Sequence, residues 1–568
     1  MIRNAKLLEF SPQGLTDAYD ETSAFPGACR SLSNFIFSSS SHDRVVARPG
    51  VGLPLTTFAT FSAAGFISIQ QTIGDITYGM IASSRNAGFD EPFAFNNITQ
   101  TFITITGVTS ANVPTSPASS GAWTPPTMAS VAKKLIITHP GFSGVGSNFF
   151  GVLDISNPSA PAWSSSNTST NLLPSVPTSV ANYNNRAYYA IGNQLYGSDS
   201  LSPLVITNLN STLTIGDVTN VTAQIGLPLQ TTSSGITSAL IVFKANSVWM
   251  VTGDTVGGTL TLGFLSLTVG CPHPRSVAQT PIGTIFVSQD APYLVTGAGT
   301  VAELRHPSGM ASDVRTPFQN STMPTRTAGA FAGNIYRVCV ITIIDGANVT
   351  NDYWFDIRRM RWSGPHTFTY DCASQHNNSF IVSGVGTGAA LFNSPSNDAS
   401  LSSIYTDNGI GFQSTLTFAF VHSDEGMEFK QTVESSLDVA SGGLSANFAI
   451  SANDADGDVI ASANVVTGAS AVTWGTFHWG DGTLYQSAIN TPRRYDVAWN
   501  VPIVWDRLSI SISVTSASLV TIGKFKAKYQ DCGYSLRPVT LSGILPPNLP
   551  PAGNRLDTNF ILDQSSLS

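Results

Sequence analysis

GTIFVSQDAPYLVTG, residues 283–297, decides the fold. Two arms rich in β-branched and aromatic residues flank the polar trio Gln289-Asp290-Ala291, and the stretch ends on Gly297, which is the composition of a strand, a tight reversal and a second strand. The cassette recurs as AYYAI-GN-QLYGS (187–198), ALIVFK-ANS-VWMVTG (239–253), IYRVCVITII-DGANVT-NDYWFDI (335–357) and SFIVSG-VGT-GAALFN (379–393). The turns fall about forty to sixty residues apart, the spacing of four-stranded blades repeated around the axis of a β-propeller. The arms are almost continuously apolar, so both faces of each hairpin are expected to be covered, as when blade packs on blade. A solenoid or barrel fits this pattern less well.

Composition points the same way. Charged residues make up 11% of the chain against roughly 25% in ordinary globular proteins, and 49 glycines punctuate it. At 568 residues the chain exceeds the ~250–300 that one core supports, which predicts more than one domain. The expected class is all-β: a β-propeller followed by an antiparallel β-sandwich-like domain, with extended N- and C-terminal arms. Residues 1–60 read as an N-terminal arm and first strand, ending in HDRVVARPGVG, where Pro49 and Gly50 enforce a turn. Residues 61–400 read as the propeller, with one or two further blades inferred between 61 and 180, the blade number left open, and long Ser/Thr/Pro/Asn-rich loops at 108–128 and 156–180. Within 401–535, STLTFAFVHS, KQTVESSLDV, SANFAISAND, DVIASANVV, RYDVAWNV, RLSISISVT and VTIGKFKAKY alternate at steady spacing and predict seven strands of a sandwich-like platform. Residues 536–568, with ILPPNLPPAGN, read as a Pro-rich extended arm ordered on a neighbour.

Several function classes are disfavoured. No segment has the apolar run of a signal peptide or membrane span, and five scattered cysteines (29, 271, 339, 372 and 532) read as ordinary thiols made in a reducing cytosol. Cys271 and His273 lack a second ligand pair at zinc spacing, so no metal and no cofactor is expected. In NDADGDV, Val459 and Val465 stand where a calcium loop needs its sixth and twelfth residues, and a hairpin turn is the better reading. PGFSGVG misses the G-x-S-x-G spacing, and neither H-E-x-x-H nor a P-loop occurs, so the chain does not read as an enzyme. Residues 1–400 carry 18 basic and 20 acidic side chains, whereas 401–568 carry nine and 15. Between 407 and 458 stand Asp407, Asp424, Glu425, Glu428, Glu434, Asp438, Asp454, Asp456 and Asp458 against the single base Lys430. These acids form either a solvated face or a wall that repels phosphates or docks a basic partner. No basic patch of the kind that grips nucleic acid stands out.

The opening CRSLSNFIFSSSSHDRVVARPGVG resembles that of the tail nozzle proteins of short-tailed bacteriophages, also called tail tubular, tail hub or DNA stabilisation proteins. The phrase comprises Asn34 with Phe35 and Ile36, then Arg48, Pro49 and Gly50; Ala47 stands where the family phrase has a first arginine. RAYYAIGNQLYGSD, LIVFKANSVWMVTGD, GCPHPRSVAQTPIGTIFVSQDAPYLV and NDYWFDIRRMRWSG continue the likeness in order across about residues 30–365, and the C-terminal β domain from LTFAFVHSDEGMEFKQTVESSLDV is similar too. The resemblance implies a structural virion protein made in the host cytoplasm. It would form a homo-hexameric ring below the portal and the head-to-tail adaptor ring, close the tail tube, and hold fibres or spikes. Genome DNA would pass through its lumen without sequence-specific binding, past neutral or acidic walls that let phosphates slide. A host-glycan receptor-binding propeller is the alternative, with Trp123, Trp163, Trp479 and Asp481 as candidate contacts. A glycan-degrading enzyme, which needs two carboxylates in a cleft, is a less favoured one.

Overall fold

The computed structural model describes residues 5–17, 27–39, 41, 43–57, 67–82, 88–116, 124–144, 148–167, 173–207, 212–230, 236–254, 259–308, 312–344, 346–384, 390–397, 404–422, 429–442, 445–454, 456–467 and 492–533. The fold is all-β, a propeller joined to a two-sheet sandwich. Among the described residues, six four-stranded sheets are free-standing blades: 67–102, 127–167, 179–214, 221–266, 278–303, and 370–395 completed by Thr56–Thr57. A further four-stranded meander, Ala328–Ala332, Ile335–Ile344, Ala347–Asp356 and Arg361–His366, stands between the last two of these around the same axis, so that it is the sixth fan and the 370–395 sheet the seventh. The first strand of each fan faces that axis, placing Gln70, Ser130, Asn182, Gln224, Gln279, Gly329 and Ala373 around one cavity of about 500 Å³.

Each of the five sequence cassettes supplies the second and third strands of a fan. Ile285 stands opposite Leu294 in one and Tyr189 opposite Tyr196 in another. These are the strands with neighbours on both faces, so their continuous apolar runs are what the position requires. Adjacent fans share separate cores. Tyr78, Leu135, Leu153 and Trp163 fill the first interface, Phe150 and Tyr189 the second, and Tyr188 and Leu240 the third. Ile67, Phe93, Cys372 and Ile381 close the circle between last and first. Amide side chains on axial strands add a clasp to the preceding fan: Gln70 Nε2 donates to Ile381 O at 2.6 Å, Asn182 Nδ2 to Ser130 O at 2.7 Å, and Gln224 Nε2 to Tyr188 O at 2.7 Å. Between the sixth and seventh fans the clasp is an arginine of the sixth, charge-paired within its own sheet. Arg337 and Asp352 are both fully buried with Nε and Oδ2 2.8 Å apart; Arg337 Nη1 donates to Ser394 Oγ at 2.8 Å, and its guanidinium lies over Tyr370.

The segment read as an N-terminal arm is woven into the body. Lys6–Phe10 pairs with Thr521–Gly533, and Phe35–Phe37 and Val45–Ala47 extend that same sheet. Ala28–Ser33 joins the outer strand of the sixth fan to Ile410–Phe418, so one continuous sheet runs from propeller into sandwich. Thr56–Thr57 then closes the last blade. All seven expected platform strands are present, from Ile410–Phe418 to Thr521–Gly533, in two sheets around a shared core of Phe10, Leu416, Leu437, Ile450, Trp505 and Phe525. One loop expectation is corrected. Ala162–Asn167, inside the stretch 156–180 read as a loop, is the outer strand of the second blade. Beyond one bridge from Ala162 to Thr106 it pairs on one side, and its Ser-rich composition carries no strand signal. The Pro-rich 536–568 lie outside the described residues.

Removing one partner of a buried pair strands the other charge in a medium that cannot solvate it. Arg337→Ala is expected to lower the unfolding free energy by about 3–5 kcal/mol, read from the shift in denaturant midpoint.

Candidate functional site

Asn34, Arg48, Pro49 and Gly50 are spread over seventeen positions of sequence, and the fold gathers them at the seam between propeller and sandwich. Arg48 follows strand Val45–Ala47 and is fully buried. Its Nε donates to Asn34 Oδ1 at 2.9 Å, Nη1 to Pro49 O at 3.2 Å and to Asp407 Oδ1 at 3.0 Å, and Nη2 to the other oxygen of Asp407. The guanidinium plane covers the Phe412 ring at 4.3 Å. Asn34 adopts a left-handed φ of 56°, a conformation that Asn tolerates better than most residues. Its Nδ2 donates to Gln413 O at 2.7 Å, its Oδ1 accepts Thr367 N–H at 3.1 Å, and its own N–H reaches His366 Nδ1 at 3.0 Å. Gly50 lies so close to Thr406 that a Cβ would stand 2.2 Å from that carbonyl oxygen, and its N–H donates to Ile404 O at 2.6 Å.

Within the acidic run, Asp407 is the carboxylate that neutralises Arg48, and it also accepts Val51 N–H at 3.3 Å. The other described acids are divided between two places. Glu434 and Asp438 point outward from strand Phe429–Ala440, where Glu434 pairs with Lys528 at 2.6 Å and Asp438 with Arg494 at 3.7 Å. Asp454, Asp456 and Asp458 form a hairpin tip in which Asp454 Oδ1 accepts the N–H groups of Asp456 and Asp458. Asp424, Glu425 and Glu428 lie outside the described residues. His366, Thr367, Phe412 and Gln413 complete the seam and were not singled out in the sequence; nothing in a Gly-Pro-His-Thr phrase or a sandwich strand marks a residue as the partner of one more than three hundred positions away.

Other chemistry-bearing groups are committed to the fold. The Cys271 thiol lies 3.2 Å from His273 O, burial pushes its pKa up to about 12, and His273 Nδ1 meets Thr327 Oγ1 at 2.8 Å. Trp163, a candidate glycan contact, is corrected to a core residue: it is buried against Gly151 and its Nε1 donates to Asn112 O at 3.0 Å. Trp123, Trp479 and Asp481 lie outside the described residues. A trio of half-buried Ser116 with buried Asp90 and His139 has the carboxylate in the middle, whereas an activated nucleophile needs the imidazole beside the hydroxyl. His139 Nδ1 accepts Gly141 N–H, so the trio ties Asp90 to the 139–141 turn. The described lining of the axial cavity contains no carboxylate; Arg275 is its charged member, and it is bonded to Asp371 O.

No family model matches the chain, and no curated protein does. Among solved structures it is similar to the exo-β-1,3-galactanase of Phanerochaete chrysosporium, at 11% identity over 85% of this chain and 100% of that one, with a TM-score of 0.24. It is also similar to a puromycin-hydrolysing peptidase of Mycobacterium tuberculosis, at 10% identity over 65% and 60% of the two chains and a TM-score of 0.36. The β-propeller domain of the Trilobed protease from Pyrococcus furiosus matches at 8% identity over 59% and 96%, with a TM-score of 0.29. Likenesses this distant carry no argument about activity.

Two predictions follow from the seam. Arg48→Ala is expected to cost about 3–5 kcal/mol and Asp407→Ala less, with a coupling above about 1 kcal/mol in the double-mutant cycle measured by urea denaturation. The second concerns pH. Burial, then the neighbouring Arg48 and Arg337, holds the His366 pKa well below its usual value, and burial lowers His273 to about 4. Both are neutral when folded and take up protons on unfolding, so stability is full above about pH 6.5 and falls as the pH drops toward 4. The melting temperature should fall on that path, and a His366→Gln variant should lose less.

Proposed function

We propose that the chain is a structural virion protein of the tail-nozzle type. Copies stand as a homo-hexameric ring at the distal end of a short phage tail, below the adaptor. DNA leaves through the lumen, and fibres or spikes attach to the outside. The observation that carries this reading is the fate of the phrase on which the family resemblance rests. Asn34, Arg48 and Gly50 are consumed in fastening the N-terminal segment between propeller and sandwich, so the phrase encodes an architecture, and an architecture is what a ring subunit must supply. Supporting it, the other buried polar groups described above hold strands together.

The test is the solution mass and negative-stain image of the purified chain, alone and mixed with a cognate portal–adaptor assembly. The expected result is a ring or tube with a central hole, formed alone or on the adaptor. A persistent monomer or trimer that ignores the adaptor and binds cells or glycans would contradict the proposal.

A further inference from the structure

The outer face of the second platform sheet carries an arrangement that the ring role alone does not explain. In a chain with 27 basic residues, three lysines fall at alternate positions of one strand, Lys524, Lys526 and Lys528, with Phe525 and Ala527 buried between them. Alternate strand residues share a face and repeat every ~6.8 Å, which is twice the ~3.4 Å axial spacing of phosphates along one DNA strand. Each ammonium is met by a carboxylate from a flanking segment. Glu9 bridges Lys524 at 2.6 Å and Lys526 at 3.4 Å, Asp43 stands 3.7 Å from Lys524, and Glu434 lies 2.6 Å from Lys528. The flanking register makes this systematic, since Glu9 is opposite Lys526 and Glu434 opposite Lys528. Arg494 and Asp438 add another pair on the same face, and Asp496 stands opposite Ser436.

We propose that this face is a quenched DNA-contact surface: a lysine spine repeating at twice the axial phosphate spacing, fenced by carboxylates so that passing duplex DNA is touched without being held. The proposal rests on the nozzle reading for its biological partner. Its physical content stands apart from that reading. Lys528 and Glu434 are exposed, and Lys524, Lys526 and Glu9 keep 25–34% of their side chains open to solvent; solvent-screened pairs contribute modestly to stability, whereas counterion release gives unpaired lysines a strong, salt-dependent affinity for phosphates. Hydrogen bonding to Lys524 lowers the Glu9 pKa, so this shared member of the fence is charged at neutral pH.

The experiment measures binding of the full chain to a blunt duplex of mixed sequence by fluorescence anisotropy across a salt series. Wild type is expected to bind weakly with a shallow salt slope. E9Q/D43N/E434Q, which removes the three carboxylates that touch the lysines, should bind at least about tenfold more tightly at low salt, with the log–log salt slope steeper by about 2–3. Adding K524Q/K526Q/K528Q should abolish the gain. D454N/D456N/D458N changes net charge equally, at a hairpin tip away from the spine, and should gain nothing. No gain in the first variant, a gain that survives loss of the lysines, or an equal gain in the hairpin variant would overturn the proposal. A chain that forms no ring yet shows the predicted gain removes the nozzle reading and keeps the face; a ring-forming chain with no gain does the reverse.

Discussion

A guanidinium without access to solvent must have its charge and its donors met by protein, and Arg48 draws those partners from distant parts of the chain. Asn34 comes from the same N-terminal segment, and Asp407 and Phe412 come from the start of the platform. Satisfying this one side chain fixes where residues 28–57 run. With that path set, Ala28–Ser33 can fuse the sixth fan to the sandwich, and Thr56–Thr57 arrives at the edge of the last blade to close it. A misplaced arm would leave both a buried charge and an open blade, so the two requirements reinforce each other.

Ring closure also explains the division of labour among side chains. Each interface between fans has its own apolar core, which supplies most of the cohesion but little directional preference. Direction comes from the polar clasps near the axis, where Gln70, Asn182 and Gln224 each donate to a carbonyl of the preceding fan. Buried Arg337, its charge met by Asp352 of the same fan, performs the same office between the sixth and seventh fans by donating to Ser394 Oγ and lying over Tyr370. Using neutral amides at the axis keeps that cavity nearly free of charge, which agrees with a chain poor in charged residues throughout.

Much of the fold was legible in residue patterns, and the reasons are local. Hairpins such as GTIFVSQDAPYLVTG announce themselves because the middle strands of a blade are covered on both faces, and the platform strands do so because one face is wet and the other dry. Ala162–Asn167 was not legible, since an outer strand needs no apolar face. The role of 1–60 was not legible either: Phe35–Phe37 and Val45–Ala47 are too short to signal strands, and the strand that joins them to the platform through Val45–Ala47, Thr521–Gly533, lies far along the chain. Asp407 shows the limit most clearly. Grouped by sequence with Glu434 and Asp438 as one acidic run, it belongs in space to Arg48, because backbone proximity says nothing about which side of a sheet a carboxylate will face. The alternation in KFKAK was visible as a strand, but the carboxylates that fence its lysines come from three other segments and emerge only with the register.

If the Arg48 seam and the continuous sheet bind propeller and sandwich into one body, the two parts cannot melt separately. Differential scanning calorimetry of the full chain measures this directly. A single cooperative endotherm is the predicted result. Two resolved endotherms in the unaltered chain, one for each part, would contradict the view that the N-terminal seam holds the molecule together.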